Sequence, residues 1–137
     1  MAGEVLPGDG FGGALISARA EALAVKVQAG SLVSGLPPRP RAGEVTETLC
    51  EQPGVRIERI VSTGQVTPDG QWYDQDSDEW VLVVQGSARL RIDGEAQDRE
   101  LGEGDYMFLP AHCRHRVAWT QSEPPTVWLA IHIFTKC

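Results

Sequence analysis

The chain has no excess of positive charge. Its 12 Lys and Arg stand against 19 Asp and Glu, a formal net charge of −7. Nucleic-acid binding needs a basic face to neutralise phosphates, and a polybasic membrane anchor needs the same, so neither is expected. No apolar stretch approaches the roughly 20 residues that cross a bilayer. Near the amino terminus Glu4 and Asp9 stand where a secretory signal carries positive charge, and Arg19 interrupts the only weakly apolar run. Cysteine is scarce: Cys50, Cys113 and Cys137 are odd in number and irregularly spaced, with no CxxC pair and no disulfide framework. The expectation is three reduced thiols in a soluble cytoplasmic protein of bacterial type. Nucleophile elbow, phosphate loop and dinucleotide fingerprint are all missing. The glycine-rich stretch from Gly8 to Gly13 has no strand and helix around it and carries no function.

What is present points to one small domain, since 137 residues match the length of a single core. Residues 1–29 are rich in Gly and Ala without a clean period. They read as a poorly ordered tail with a short helix across 14–26, leaving 30–137 as the folded domain. Ser31–Leu36 reads as a short strand stopped by Pro37 and Pro38. Glu44–Glu51 reads as a helical segment, with Val45 and Leu49 on one face. The period then changes to two. Val55–Val61 alternates imperfectly at Arg59 and Ile60, which suggests a bulge. Glu79–Gln85 is strongly apolar, and Ser87–Ile92 alternates cleanly before the hairpin signal Asp93-Gly94. Tyr106–Leu109, Arg114–Thr120 and Thr126–Thr135 complete a set of short strands broken by Gly and Pro. The class is all-β, sandwich or barrel, with no internal repeat.

Two segments carry the chemistry. In the first, Glu79 leads an apolar strand that ends at Gly86. In the second, Gly104 opens a turn and a short apolar run, Pro110 ends the run, and His115 begins the next strand. Together they resemble the paired motifs of the cupin superfamily over about residues 55–135. Gly104, Pro110 and His115 fall on the second motif's glycine, proline and histidine. His112 stands where that motif has glycine, and Trp119 where it has asparagine. Glu79 and Gly86 match the first motif, but its two histidines are replaced by Tyr73 and Gln75, or by Trp72 and Asp74 with the longer permitted gap. The resemblance implies a double-stranded β-helix, or jelly-roll barrel, in a single-domain cupin. It also implies a homodimer, and a small-molecule ligand at the barrel centre.

In cupins the glutamate and the second-motif histidine meet at one metal, usually with three histidines and open positions for water or substrate. Alternation puts His115 and Val117 on one face, and Glu79, Val81 and Val83 on another. The resemblance therefore implies a divalent metal (Mn, Fe, Zn or Ni) on Gln75, Glu79 and His115. Tyr73 would serve only as phenolate, and Tyr73, His112 and Trp119 would line the pocket. Three readings stand: a metal-dependent enzyme on a small organic acid, sugar or phenolic; a metal-free ligand-binding module; and a structural domain in which Glu79 and His115 only satisfy each other. His112 reads as a rim residue and His132 as a core or interface histidine. Cys113 reads as a quiet small side chain. Asp74, Asp76 and Asp78 lack the spacing of a calcium loop and read as a solvated acidic run. Trp80, opposite Glu79 by alternation, is expected between the sheets or at a dimer contact.

Overall fold

The computed structural model describes residues 25–134, and a compact unit begins at Ser31. Residues 1–24 of the expected tail, and all but the end of the helix expected across 14–26, lie outside the described residues. Eight strands follow one another: β1 (Val45–Gln52), β2 (Val55–Ser62), β3 (Asp78–Gln85), β4 (Ala88–Ile92), β5 (Arg99–Leu101), β6 (Tyr106–Leu109), β7 (His115–Thr120) and β8 (Thr126–Ile133). They form two antiparallel sheets, ordered β1-β2-β8-β3-β6 and β5-β4-β7. The class is all-β. No helix among the described residues is long and apolar enough to cross a membrane.

Period-two patterning decides which side chains go inside. On β3, Glu79, Val81 and Val83 are buried, and on β8 so are Trp128, Ala130 and His132. The core cluster joins Val81, Val83, Leu109, Trp128 and Ala130 of the larger sheet to Ala88, Leu90 and Leu101 of the smaller. Gly86, at the end of β3, has φ +83°, and a Cβ there would stand 2.9 Å from the Thr126 Cα. Glycine is required at this turn both by backbone conformation and by the close approach of a neighbouring chain.

Two expected elements are different in the structure. Residues 44–51 are not helical but form most of β1, paired with β2. The pairing shifts register between Thr48 and Cys50, so Leu49 is an extra residue in the strand. Val45 and Leu49 stand four residues apart, a spacing that shares a face in a strand as well as in a helix and so does not tell the two apart. The irregularity expected at Arg59 and Ile60 is therefore on β1, while β2 pairs with β8 in continuous register. Ser31–Leu36 is not a strand. The Arg59 guanidinium donates to the carbonyls of Leu32 (3.3 Å) and Ser34 (2.6 Å), which takes the place of a sheet ladder.

Trp80 lies neither between the sheets nor in the core cluster. It stacks on Tyr106 of the adjacent edge strand, ring centres 5.5 Å apart, on the outer side of the sheet. The acidic run is more than a solvated loop: Asp78 accepts from the Ala111 amide (2.8 Å) and Asp74 bonds His112 Nδ1 (2.9 Å). These contacts tie the segment before β3 to the turn before β7.

Candidate functional site

The inward residues of seven strands line a cavity of about 250 Å³. Sheet register arranges its lining in rows. Arg56 on β2, His132 on β8 and Glu79 on β3 are direct cross-strand neighbours. Two residues further along come Glu58, Ala130 and Val81, and then Ile60, Trp128 and Val83. Moving along the strands, the lining thus changes from charged to apolar. His115 and Val117 on β7 repeat the gradient from the opposite sheet, with Leu90 and Leu109 beside the apolar part. Tyr73 and Gln75 complete the polar end, and Glu44 joins them from just before β1.

Backbone contacts hold the loop residues in place. Tyr73 and His115 exchange two main-chain hydrogen bonds (2.7 and 3.1 Å), so the segment before β3 runs alongside β7. The Tyr73 ring then stacks on the His115 imidazole at 5.5 Å. His115 Nδ1 lies 2.8 Å from the Cys113 carbonyl oxygen. A carbonyl only accepts, so Nδ1 carries the proton, and in the neutral ring Nε2 keeps its lone pair. That nitrogen faces Glu79 Oε1 at 3.7 Å. The other Glu79 oxygen is 3.9 Å from His132 Nε2. Both separations exceed hydrogen-bond length. The Glu79 side chain, only 9% exposed, has no hydrogen-bond partner among the described residues.

His132 is held in the opposite sense. Its Nε2 donates to the Glu58 carboxylate at 2.9 Å, and Glu58 also meets Arg56 Nε at 3.2 Å. Glu58 thus has a hydrogen bond from His132 and a guanidinium at ion-pair distance, while Glu79 has only the two imidazoles beyond hydrogen-bond length. Burial is the main cause of a raised Glu79 pKa, against the opposing pull of His132 and His115. Glu44 is raised as well, first by burial, then by the charges of Glu79 and Glu58, with the Ser62 hydroxyl acting the other way. Tyr73 is also pushed up, chiefly by burial and next by Glu44.

A family model described as a cupin domain matches residues 60–132. The chain belongs to this cupin family. Among solved structures it is similar to a candidate mannose-6-phosphate isomerase from Ralstonia eutropha JMP134, with 46% identity and a TM-score of 0.77 over 80% of this chain and 100% of that one. A cupin superfamily protein from Desulfitobacterium hafniense shares 17% identity, with a TM-score of 0.63 over 81% and 95% of the two chains. An RmlC-like cupin with a double-stranded β-helix fold, from Methanocaldococcus jannaschii, gives 17% and 0.59 over 80% and 90%. The last two show the fold. No functionally curated protein matches the sequence.

Set against the cupin motifs, Tyr73, Gln75, Glu79 and His115 all line the one cavity. The usual four-ligand centre is not reproduced. Among the described residues no three His, Cys, Asp or Glu side chains converge to hold an ion. The His132 Nε2 that approaches Glu79 is bonded to Glu58.

Two residues expected in the pocket stand elsewhere. Trp119 is on the outer face of β7, under the Arg89 guanidinium at 5.1 Å. Val117 pairs with Leu90 and Trp119 with Arg89, so Ala118 is a bulge that turns Trp119 away from the face of His115 and Val117. His112 lines a neighbouring outer hollow with Asp74, Asp76, Arg56 and His132. It has φ +64°, the conformation for which the motif's glycine is suited, and its amide donates to the Gln75 carbonyl at 2.6 Å.

Sequence reasoning missed Glu44, Arg56, Glu58, Trp128 and His132. A signal for three of them was present. Arg56 and Glu58 share a strand face with Ile60, and His132 shares one with Trp128. Charge on an otherwise inward face marks a polar cavity wall as readily as a strand defect.

Proposed function

We propose that the cavity binds a small organic molecule, held at its polar group by Glu79 and His115 and packed on the apolar end. The observation that carries this is the Glu79 carboxylate, nine-tenths buried, without a hydrogen-bond partner and facing a lone pair of His115. Burying a carboxylate is costly unless something pairs with it. A ligand group between the two acceptors would satisfy both. The apolar wall of Ile60, Val81, Leu90, Val117 and Trp128 would take the remainder of the molecule. At about 250 Å³ the space is below the roughly 300–1,000 Å³ of drug-sized pockets, so the ligand is small.

The same arrangement supports proton transfer. A carboxylate with raised pKa beside an imidazole of fixed tautomer is an acid–base pair. The Ralstonia relative is named for an isomerisation of a phosphorylated sugar. Here a phosphate would meet Glu44, Glu58 and Glu79 with only Arg56 to receive it, and Arg56 lies 3.2 Å from Glu58. The acid–base chemistry carries over from that relative more readily than the phosphate.

One observation favours a second reading, a divalent ion on Glu79, His115 and Gln75. Donation of the distal N–H to a carbonyl, as in His115, is how metal-bound histidines are oriented. Metal analysis of tag-free protein purified without chelator, combined with thermal-shift screening of small organic molecules in EDTA, separates the two. Organic ligands that raise Tm in EDTA support the pocket. Near-stoichiometric metal that is lost in His115→Ala, with no chelator-resistant ligand, supports the ion.

A further inference from the structure

We propose that the polar group of the ligand is a cation: a primary or secondary ammonium on a compact apolar body. This rests on the cavity being a ligand pocket and adds the ligand's charge and class.

Glu79 Oε1 and His115 Nε2 face each other at 3.7 Å, and with Glu79 ionised and the imidazole neutral both are acceptors. A hydroxyl has one hydrogen and satisfies one of them. A carboxylate or phosphate dianion has none. An ammonium has two or three N–H donors and can bond both acceptors at once. Its bond to Glu79 is charge-assisted, roughly twice as strong as a neutral one.

Three carboxylates line the cavity with one guanidinium. His132 is hydrogen-bonded to Glu58, and Arg56 lies within ion-pair distance of the same carboxylate, although its buried Nε makes no hydrogen bond. Glu44 forms no ion pair among the described residues, and Glu79 has only the two imidazoles beyond hydrogen-bond distance. One added positive charge near Glu79 and Glu44 offsets repulsion that the protein leaves unbalanced. Bare metal has no use for the apolar surface of Val81, Leu90, Val117 and Trp128, whereas the carbon skeleton of an amine does.

Isothermal titration of the full chain in EDTA at neutral pH, with benzylamine, benzyl alcohol and benzoate as probes, tests this. Benzylamine is expected to bind at least about tenfold more tightly than the alcohol, and benzoate not measurably. Glu79→Gln should cost the amine at least about tenfold and leave the alcohol within about threefold. Should that variant not fold, Glu44→Gln is expected to weaken the amine by about threefold. Equal binding of amine and alcohol, or preference for benzoate, overturns the cation while leaving a ligand pocket in place. If none of the three binds and Mn²⁺ or Zn²⁺ alone raises Tm, both the cation and the organic pocket are overturned.

Discussion

The two ends of the cavity are built from the same strands and differ by a few residues along them. At one end β2, β3, β7 and β8 turn in Arg56, Glu58, Glu79, His115 and His132; further along they turn in Ile60, Val81, Val117 and Trp128. The apolar end gains from every group it buries. The polar end carries buried charge, offset at Glu58 by two partners and left uncompensated at Glu79. The comparison shows how one sheet register places a stability-giving region and a stability-costing region within a single core.

The largest effect that sharpens this contrast belongs to the apolar end. Trp128, 5% exposed, bonds Ser62 through its indole N–H. Trp128→Ala is expected to cost about 3–5 kcal/mol in urea denaturation. A cost below about 1 kcal/mol would show that this end is not core. Next comes His132→Ala, which removes one of the two partners of Glu58 and is expected to cost about 1–3 kcal/mol. Tm and the urea midpoint should both fall, and unchanged values would remove the His132–Glu58 pair as a structural element.

Glu79 should behave in the opposite way. Its pKa is raised in the folded protein by burial, so the folded state holds the proton more tightly than the unfolded state does. Its stability contribution is complete below the ordinary value of 4.5 and is lost as pH rises through the folded value. The Tm of the wild type relative to Glu79→Gln should therefore fall between pH 4.5 and 8, and at pH 8 the variant should be the more stable. A difference that stays constant or rises across this range breaks the claim that Glu79 is buried at a cost. The smallest effect is expected outside the cavity. Trp119→Ala should cost about 0.5–1 kcal/mol, the value of an exposed cation–π contact with Arg89, and leave ligand binding unchanged.

Much of this was legible in the chain. Strands with two-residue alternation, the glycine and proline turns, and the pairing of Glu79 with His115 all follow from local pattern and motif spacing. The errors have different causes. The four-residue spacing of Val45 and Leu49 fits a strand face as well as a helix face, and the bulge at Ala118 turned Trp119 outward. An inserted residue reverses every later side chain in a strand, and nothing in the local composition announces it. His132 and Glu58 were missed for another reason. They are 74 residues apart, and only the fold brings them together.

By itself the sequence determined the all-β class, the positions of most turns and the presence of an inward carboxylate and imidazole, because these depend on neighbours within a few residues. Only the tertiary structure decided which nitrogen of each histidine carries the proton, which carboxylate is neutralised and which side chains share the cavity. Those outcomes depend on hydrogen-bond partners that distant strands bring together, and strand register is a property of pairs of segments, not of either one.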